Sequence, residues 1–204
     1  MIIETFTVGM LSTNCYVVNS EQTNEVIIID PGLEFTSEAQ QIFNYIHESN
    51  LKVKIILNTH GHHDHISGNS IFQKKYNVPV YIHKFDASSL EKMEESQFSA
   101  PILFEEGSQI KFGDEILTVM HTPGHTPGSV CLLGKKLVFT GDTLFAEGIG
   151  RTDFPGGSMK DMQLSLQKLV RLPDYFLIYP GHGPTSIIGE EKRSNPFLVD
   201  NDSF

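Results

Sequence analysis

The chain is poor in cysteine, poor in positive charge and without a long apolar run, and each shortage narrows what it can be. Only two cysteines occur in 204 residues, Cys15 and Cys131, both inside strand-like runs. They read as small buried hydrophobes in a reducing compartment, with a disulfide or a thiol nucleophile as the alternatives. Fifteen basic residues face twenty-five acidic ones, a net charge of −10. That balance opposes phosphate backbones, which are bound by clustered Lys and Arg, so no nucleic-acid partner is expected. The longest apolar runs, such as Val26-Ile27-Ile28-Ile29, are far too short to cross a bilayer. The start, Met1-Ile2-Ile3-Glu4-Thr5, lacks the basic opening and apolar core of a secretory signal. A cytoplasmic protein with no membrane partner is the expectation. Repeats, polar tracts and Pro/Gly/Ser-rich linkers are missing too, so residues 1–204 read as one globular domain that buries roughly 70% of its unfolded surface.

What is present is concentrated in residues 59–65, Thr-His-Gly-His-His-Asp-His. His60, His62, Asp64 and His65 put four metal-competent side chains into six positions. Shuffling this composition yields His-x-His-x-Asp-His in only about one chain per thousand. The run follows a short buried strand, Val53-Lys54-Ile55-Ile56-Leu57, with Gly61 marking the turn. Imidazole nitrogen with carboxylate oxygen suits zinc or iron, whereas an all-oxygen site would suit magnesium or calcium.

The surrounding pattern is mixed. Strands are expected at Ile2 to Val8, Cys15 to Asn19 and Val26 to Asp30, the last stopped by Asp30-Pro31-Gly32. A helix follows, with Ser37-x-x-Gln40 as a capping box and Ala39, Ile42, Phe43 and Ile46 on one face. Residues 66–77 read as helical and Val80-Tyr81-Ile82 as a strand. Residues 84–107 show no clean period and fit a flap or an irregular surface segment. Strands resume at Ile110, Ile116–Met120, Val130–Leu133 and Leu137–Thr140. A helix over about 159–171, N-capped by Ser158, precedes a closing strand, Phe176-Leu177-Ile178-Tyr179. Two batches of strands separated by helices suggest two sheets with helices outside them.

Four ligands on one loop cannot close two metal shells, and further candidates stand at strand exits flanked by glycine or proline. They are His125 in Thr-Pro-Gly-His-Thr-Pro-Gly, Asp142 in Thr-Gly-Asp and His182 in Pro-Gly-His-Gly-Pro. His63 is set aside because alternate side chains of an extended segment point oppositely. His47 reads as an exposed helix-end cation. His83 reads as a surface residue, and His121 as structural or supporting to the His125 turn.

These loci, in order, resemble the metallo-β-lactamase superfamily over nearly the whole chain. The resemblance implies an αββα sandwich, two mixed β-sheets with helices on the outer faces, and a two-metal site along one edge. Carried over, His60, His62 and His125 would bind the first metal, and Asp64, His65 and His182 the second. Asp142 would bridge, and Asp30 would support the metal loop without ligating. Two divalent ions are implied, zinc first, with iron or manganese as alternatives. A water held between them and Asp142 would have its pKa lowered toward about 7, giving a bridging hydroxide that attacks carbonyl or phosphoryl centres.

The tract Thr140-Gly141-Asp142-Thr143-Leu144-Phe145, then Gly148-Ile149-Gly150-Arg151, is similar to the glyoxalase II (hydroxyacylglutathione hydrolase) branch. Gly150 to Gly157 and Asn195-Pro196-Phe197-Leu198 look like its short, single-domain bacterial members. The resemblance implies hydrolysis of S-lactoylglutathione or a related thioester, a small-molecule partner that includes glutathione-derived ones, with Arg151 contacting the substrate. Three features depart from the pattern. No C-terminal helical glutathione-binding domain is expected, Asp153 stands where an aromatic is usual, and Gly183-Pro184 follows His182 in place of the family tyrosine. The Gly-Arg-Thr-Asp-Phe tract also resembles mononuclear-iron persulfide dioxygenases, which is the alternative reading. A non-enzymatic metal-binding protein is the second alternative.

Overall fold

Two segments of the chain are buried at nearly every position, as strands covered on both faces. In β2 (Thr13–Asn19) all seven residues are buried. Cys15 and Val17 face one apolar layer, while Tyr16 and Val18 face another. The same alternation divides β3 (Glu25–Ile29) into Val26 and Ile28 on one side, Ile27 and Ile29 on the other. The computed structural model describes residues 1–91 and 100–199.

The first sheet runs in chain order: β1 (Ile2–Val8), β2, β3, β4 (Lys52–Leu57), β5 (Val80–His83) and β6 (Ile102–Phe104). It is antiparallel as far as β3 and parallel beyond. The second holds β7 (Gln109–Phe112), β8 (Glu115–His121), β9 (Val130–Leu133) and β10 (Leu137–Gly141) as an antiparallel meander. β11 (Leu144–Phe145) and β12 (Gly148–Ile149) form a separate hairpin. β13 (Leu177–Pro180) then returns parallel to β10, and β14 (Ser186–Ile187) ends that sheet.

Three apolar layers hold these sheets. Ile42 and Ile46 of α1 (Thr36–Glu48) pack on Val17, Ile28 and Ile56, as does Phe72 from a second helix described below. Tyr16, Ile27, Ile29 and Leu57 meet Phe112, Leu117, Leu132 and Phe139 between the sheets. Met162, Leu166 and Leu169 of the late helix cover Cys131, Val138 and Ile178. Each such side chain contributes about 1.5–3 kcal/mol on burial, so every layer is a substantial part of the folding free energy. The result is the αββα sandwich with two mixed sheets. The cysteines occupy opposite outer layers, both free. Burial pushes the Cys15 thiol well up and that of Cys131 to about 11, so neither serves as a nucleophile at neutral pH.

Several expectations need correction. Helix α1 starts two residues earlier than the Ser37 cap implies, with Phe35 at its N-cap, and Glu38 rather than Gln40 closes its first turn. The Glu38 carboxylate accepts from the N–H groups of Glu34 and Phe35 at 2.8 Å each, and from Gly9 at 2.7 Å. The helical stretch after β4 is two pieces, α2 (His63–Ile66) and α3 (Asn69–Tyr76), the latter carrying Phe72. Within 84–107 lie α4 (Ala87–Glu91) and β6, while residues 92–99 fall outside the described residues. His83, expected at the surface, is buried and stacks on His121 with ring centroids 4.2 Å apart. Helix α5 (Met159–Leu169) is N-capped by Ser158 as expected, its Oγ accepting from Asp161 N–H at 3.2 Å. β13 is not the closing element, since β14, α6 (Ile188–Ser194) and α7 (Pro196–Val199) follow it.

Candidate metal centre

Five chain segments leave strands at one edge of the sandwich, and each carries at least one of the expected side chains. Asp30 follows β3, His60 to His65 follow β4, His125 follows β8, Asp142 follows β10 and His182 follows β13. The histidine run itself is not extended. His62 sits at the N-cap and His63–Ile66 make one helical turn. At about 100° per residue, that turn sends His63 to solvent while Asp64 and His65 swing inward. His63 is therefore left out by helical rotation and not by strand alternation. A Cβ on Gly32 would lie 1.4 Å from the Asp64 carbonyl oxygen, so only glycine lets the turn after Asp30 reach α2.

All seven expected ligands converge. His60, His62 and His125 form one group, Asp64, His65 and His182 another, and His60, His65 and Asp142 a third, with the donor atoms of each within 4.8 Å. In the first group His62 Nδ1 lies 3.1 Å from His60 Nε2 and 2.8 Å from His125 Nε2. In the second, His65 Nε2 is 3.3 Å from His182 Nε2 and 3.5 Å from Asp64 Oδ2. Asp142 faces both. Its Oδ2 stands 3.4 Å from His125 Nε2 and 3.6 Å from His182 Nε2, and its Oδ1 stands 3.4 Å from His65 Nε2.

The outward ring atoms fix what the inward ones present. His125 Nδ1 lies 2.7 Å from the Arg151 carbonyl and His182 Nδ1 lies 3.0 Å from that of Leu11, so each Nδ1 carries the proton. Thr59 Oγ1 donates to Asp30 at 2.6 Å and so accepts from His60 Nδ1 at 3.2 Å. In the neutral form of each ring, the inward nitrogens of His60, His125 and His182 are consequently bare lone pairs. Three nitrogens bound to one tetrahedral zinc stand about 3.3 Å apart, close to the spacing of the first group. Asp142 Oδ1 is fully buried without a hydrogen-bond partner, an expensive state for a carboxylate oxygen unless a cation meets it. The residues present fit a divalent metal pair.

Charge reinforces the fit. Burial and the neighbouring imidazoles push His60 well below its ordinary value, and His62 shifts down for the same reasons. Both stay neutral and available as ligands. Burial opposes protonation of His65, but Asp142, Asp30 and Asp64 outweigh it and raise that ring to about 9. The carboxylates thus demand positive charge at the spot where the second group converges. Asp64 is held far below the usual carboxylate range, burial being outweighed by His182, His65 and Thr13.

The sequence did not reveal most of what holds these ligands. Asp30 was expected, and its carboxylate accepts from the Thr59 N–H at 2.8 Å and stands 3.0 Å from His65 Nδ1. Asn14 was not. Its side chain donates to the carbonyls of Pro180 at 3.0 Å and Gly183 at 2.8 Å, while the Tyr16 hydroxyl donates to Pro180 at 2.6 Å. Together they fix the His182 loop. Thr13 Oγ1 donates to Asp64 Oδ2 at 3.1 Å. Arg151 has its guanidinium on Asp153 through two contacts of 2.8 Å and 3.7 Å from the Phe154 ring centroid. Phe154 in turn stands edge-on to His62, centroids 5.6 Å apart, and Phe145 to His182 at 6.1 Å.

This arrangement has relatives. The profile of the metallo-beta-lactamase superfamily matches residues 8–182. The chain belongs to that superfamily. Among superfamily members it is 36% identical over 213 residues to hydroxyacylglutathione hydrolase GloC of Haemophilus influenzae, covering 97% of this chain and 98% of that one. It is 37% identical over 205 residues to the probable metallo-hydrolase YqgX of Bacillus subtilis, covering 94% of each. A di-iron-bound form of TTHA1623 superposes with a TM-score of 0.82 at 32% identity, covering 96% of this chain and all 100% of that one. The metallo-beta-lactamase fold and a metal-capable His/Asp cluster place the chain among metallo-hydrolases. No helix among the described residues is long and apolar enough to cross a membrane.

Proposed function

We propose that this chain is a thioester hydrolase of the glyoxalase II kind that holds two divalent ions, zinc first, with iron or manganese as the other candidates. Its substrate is S-lactoylglutathione or a related small thioester. The observation that carries the reading is Asp142, whose carboxylate lies between two three-ligand groups with one oxygen left without a hydrogen bond. His60, His62 and His125 would hold the first ion, Asp64, His65 and His182 the second, and Asp142 would touch both. The likeness to GloC supports the substrate class.

Bound there, the ions supply Lewis acidity toward a thioester carbonyl and toward water. The protein supplies the rest. Proton-carrying Nδ1 atoms on backbone carbonyls lock His125 and His182, so their lone pairs need no reorientation during turnover. His182 and Asp64 are about a quarter exposed, which makes their side of the centre the open one. Phe145 lines it with apolar surface beside His182, and Phe154 does the same beside His62 of the first group. A thiolate leaves without prior protonation, so the site works without a dedicated general acid.

The test is hydrolysis of a thioester panel, with and without the glutathione moiety, run beside oxygen uptake on glutathione persulfide. Thioester turnover that stops on chelation is the expected result. Oxygen consumption with one iron per chain would establish the dioxygenase instead, and metal binding with neither activity a non-enzymatic role. Arg151 is proposed as an anion contact that a substrate carboxylate takes over from Asp153. Arg151→Ala should raise KM more than it lowers kcat, and an unchanged KM rejects that role.

A further inference from the structure

Asp86 is absent from the ligand set, yet its carboxylate joins the two loops that supply the first group. It lies between β5 and α4, and only 5% of its surface is exposed. Oδ2 accepts from the Gly61 N–H at 2.8 Å and from Thr126 Oγ1 at 2.6 Å, and Oδ1 accepts from the Gly128 N–H at 2.8 Å. Gly61 stands between His60 and His62, and Thr126 follows His125. One carboxylate therefore grips the loop after β4 in one sheet and the loop after β8 in the other.

The grip is close on both sides. A Cβ on Gly128 would lie 2.5 Å from Asp86 Oδ1, and one on Gly61 would lie 3.1 Å from Asp86 Cβ and 2.6 Å from Ser89 Oγ. Three donors converging on a buried anion make strong, short hydrogen bonds, so the two loops share one fixed spacing. The second group is held by other residues. Asp64 and His65 ride on α2 beside Thr13 and Asp30, and His182 is fixed by Asn14 and Tyr16.

We propose that Asp86 is the positioning residue of the first metal site. It sets the separation between the His60/His62 loop and the His125 loop, and hence the affinity of that site relative to the second. This rests on the metal assignment above. Ligand nitrogens 2.8–3.1 Å apart tolerate little relative motion of their loops, because productive sites are held to within about 0.5 Å.

Asp86→Asn tests it. The amide keeps the volume but turns an NH2 group toward one of three donors, opening one side of the bracket. Zn²⁺ affinities would be measured by chelator competition, with Co²⁺ spectra separating a first site of three imidazoles and the shared Asp142 oxygen from a second site with two imidazoles and two carboxylates. The first-site affinity should fall about 10–100-fold while the second changes by less than about twofold, as for other groups that orient ligands from behind. Thr126→Val, which removes only the hydroxyl donor, should give a smaller fall at the same site and serves if Asp86→Asn does not fold. Equal weakening of both sites together with lower stability of the metal-free chain would show general packing and overturn the proposal. Unchanged affinities would overturn it too. A wild-type chain that takes up no Zn²⁺ would overturn the metal assignment first, and this inference with it.

Discussion

Gly181 offers a sharp test of where Asp142 sits, because one added methyl group meets the metal centre directly. An ideal Cβ at Gly181 would stand 2.2 Å from Asp142 Oδ1 and 2.8 Å from His65 Cε1. An ordinary carbon–oxygen contact needs about 1 Å more than the first of these distances, so in Gly181→Ala either the carboxylate or the His182 loop must give by about that amount. The loop is tied by Asn14 and Tyr16, so the strain falls on Asp142 and His65. A misplacement of about 1 Å costs on the order of 100-fold in rate, and overpacking costs about 1–3 kcal/mol in stability. Gly183, two residues on, is the matched control. Nothing lies within 4 Å of its added Cβ, but its φ of 75° is left-handed. Gly183→Ala should therefore lose about 1–2 kcal/mol of stability while keeping its metal and its rate. The assay is metal content per chain, thioester turnover and urea unfolding for both variants. Full metal content with unchanged turnover in Gly181→Ala would refute the placement of Asp142 at the centre.

Two further outcomes follow from residues behind the site. Burial, then stacked His121, push His83 down to about 4 against the pull of Asp86 and Glu105, with Lys84 adding to the fall. Below about 6.5 the unfolded chain takes up a proton that the folded chain refuses, so this contribution is intact above that pH and is lost as pH falls toward about 4. Urea midpoints of metal-free wild type at pH 7 and pH 5 should differ more than those of His83→Gln, and equal differences would contradict the buried neutral ring. Tyr16→Phe removes a buried donor to the Pro180 carbonyl, which Asn14 still partly satisfies. The cost should be about 1 kcal/mol, or about 2–4 °C in Tm, and an unchanged Tm would mean that the hydroxyl bond contributes nothing.

The residues that converge in the candidate site were legible in the sequence for a chemical reason. His and Asp at strand exits flanked by glycine are identities, and the layered strands showed as apolar runs. What stayed hidden was contact between distant segments. Asp86 meets Gly61 across 25 residues and Thr126 across 40, and Asn14 meets Pro180 across 166. No local pattern records such a pairing. β11, β12 and β14 are two residues long, a single strand period and too short for any alternation to show. His83 misled because the ring that covers it belongs to β8 in the other sheet. The histidine run misled in shape alone, since four residues suffice for one helical turn inside a motif that alternates in sequence.

Metal stoichiometry measured together with thioester hydrolysis tests whether a pair of metals is held around Asp142. Wild type should carry two divalent ions per chain and lose hydrolysis on chelation. His60→Ala and Asp142→Ala should stay folded without turnover. Undiminished hydrolysis by either folded variant, or by the fully metal-depleted wild type, would contradict the account.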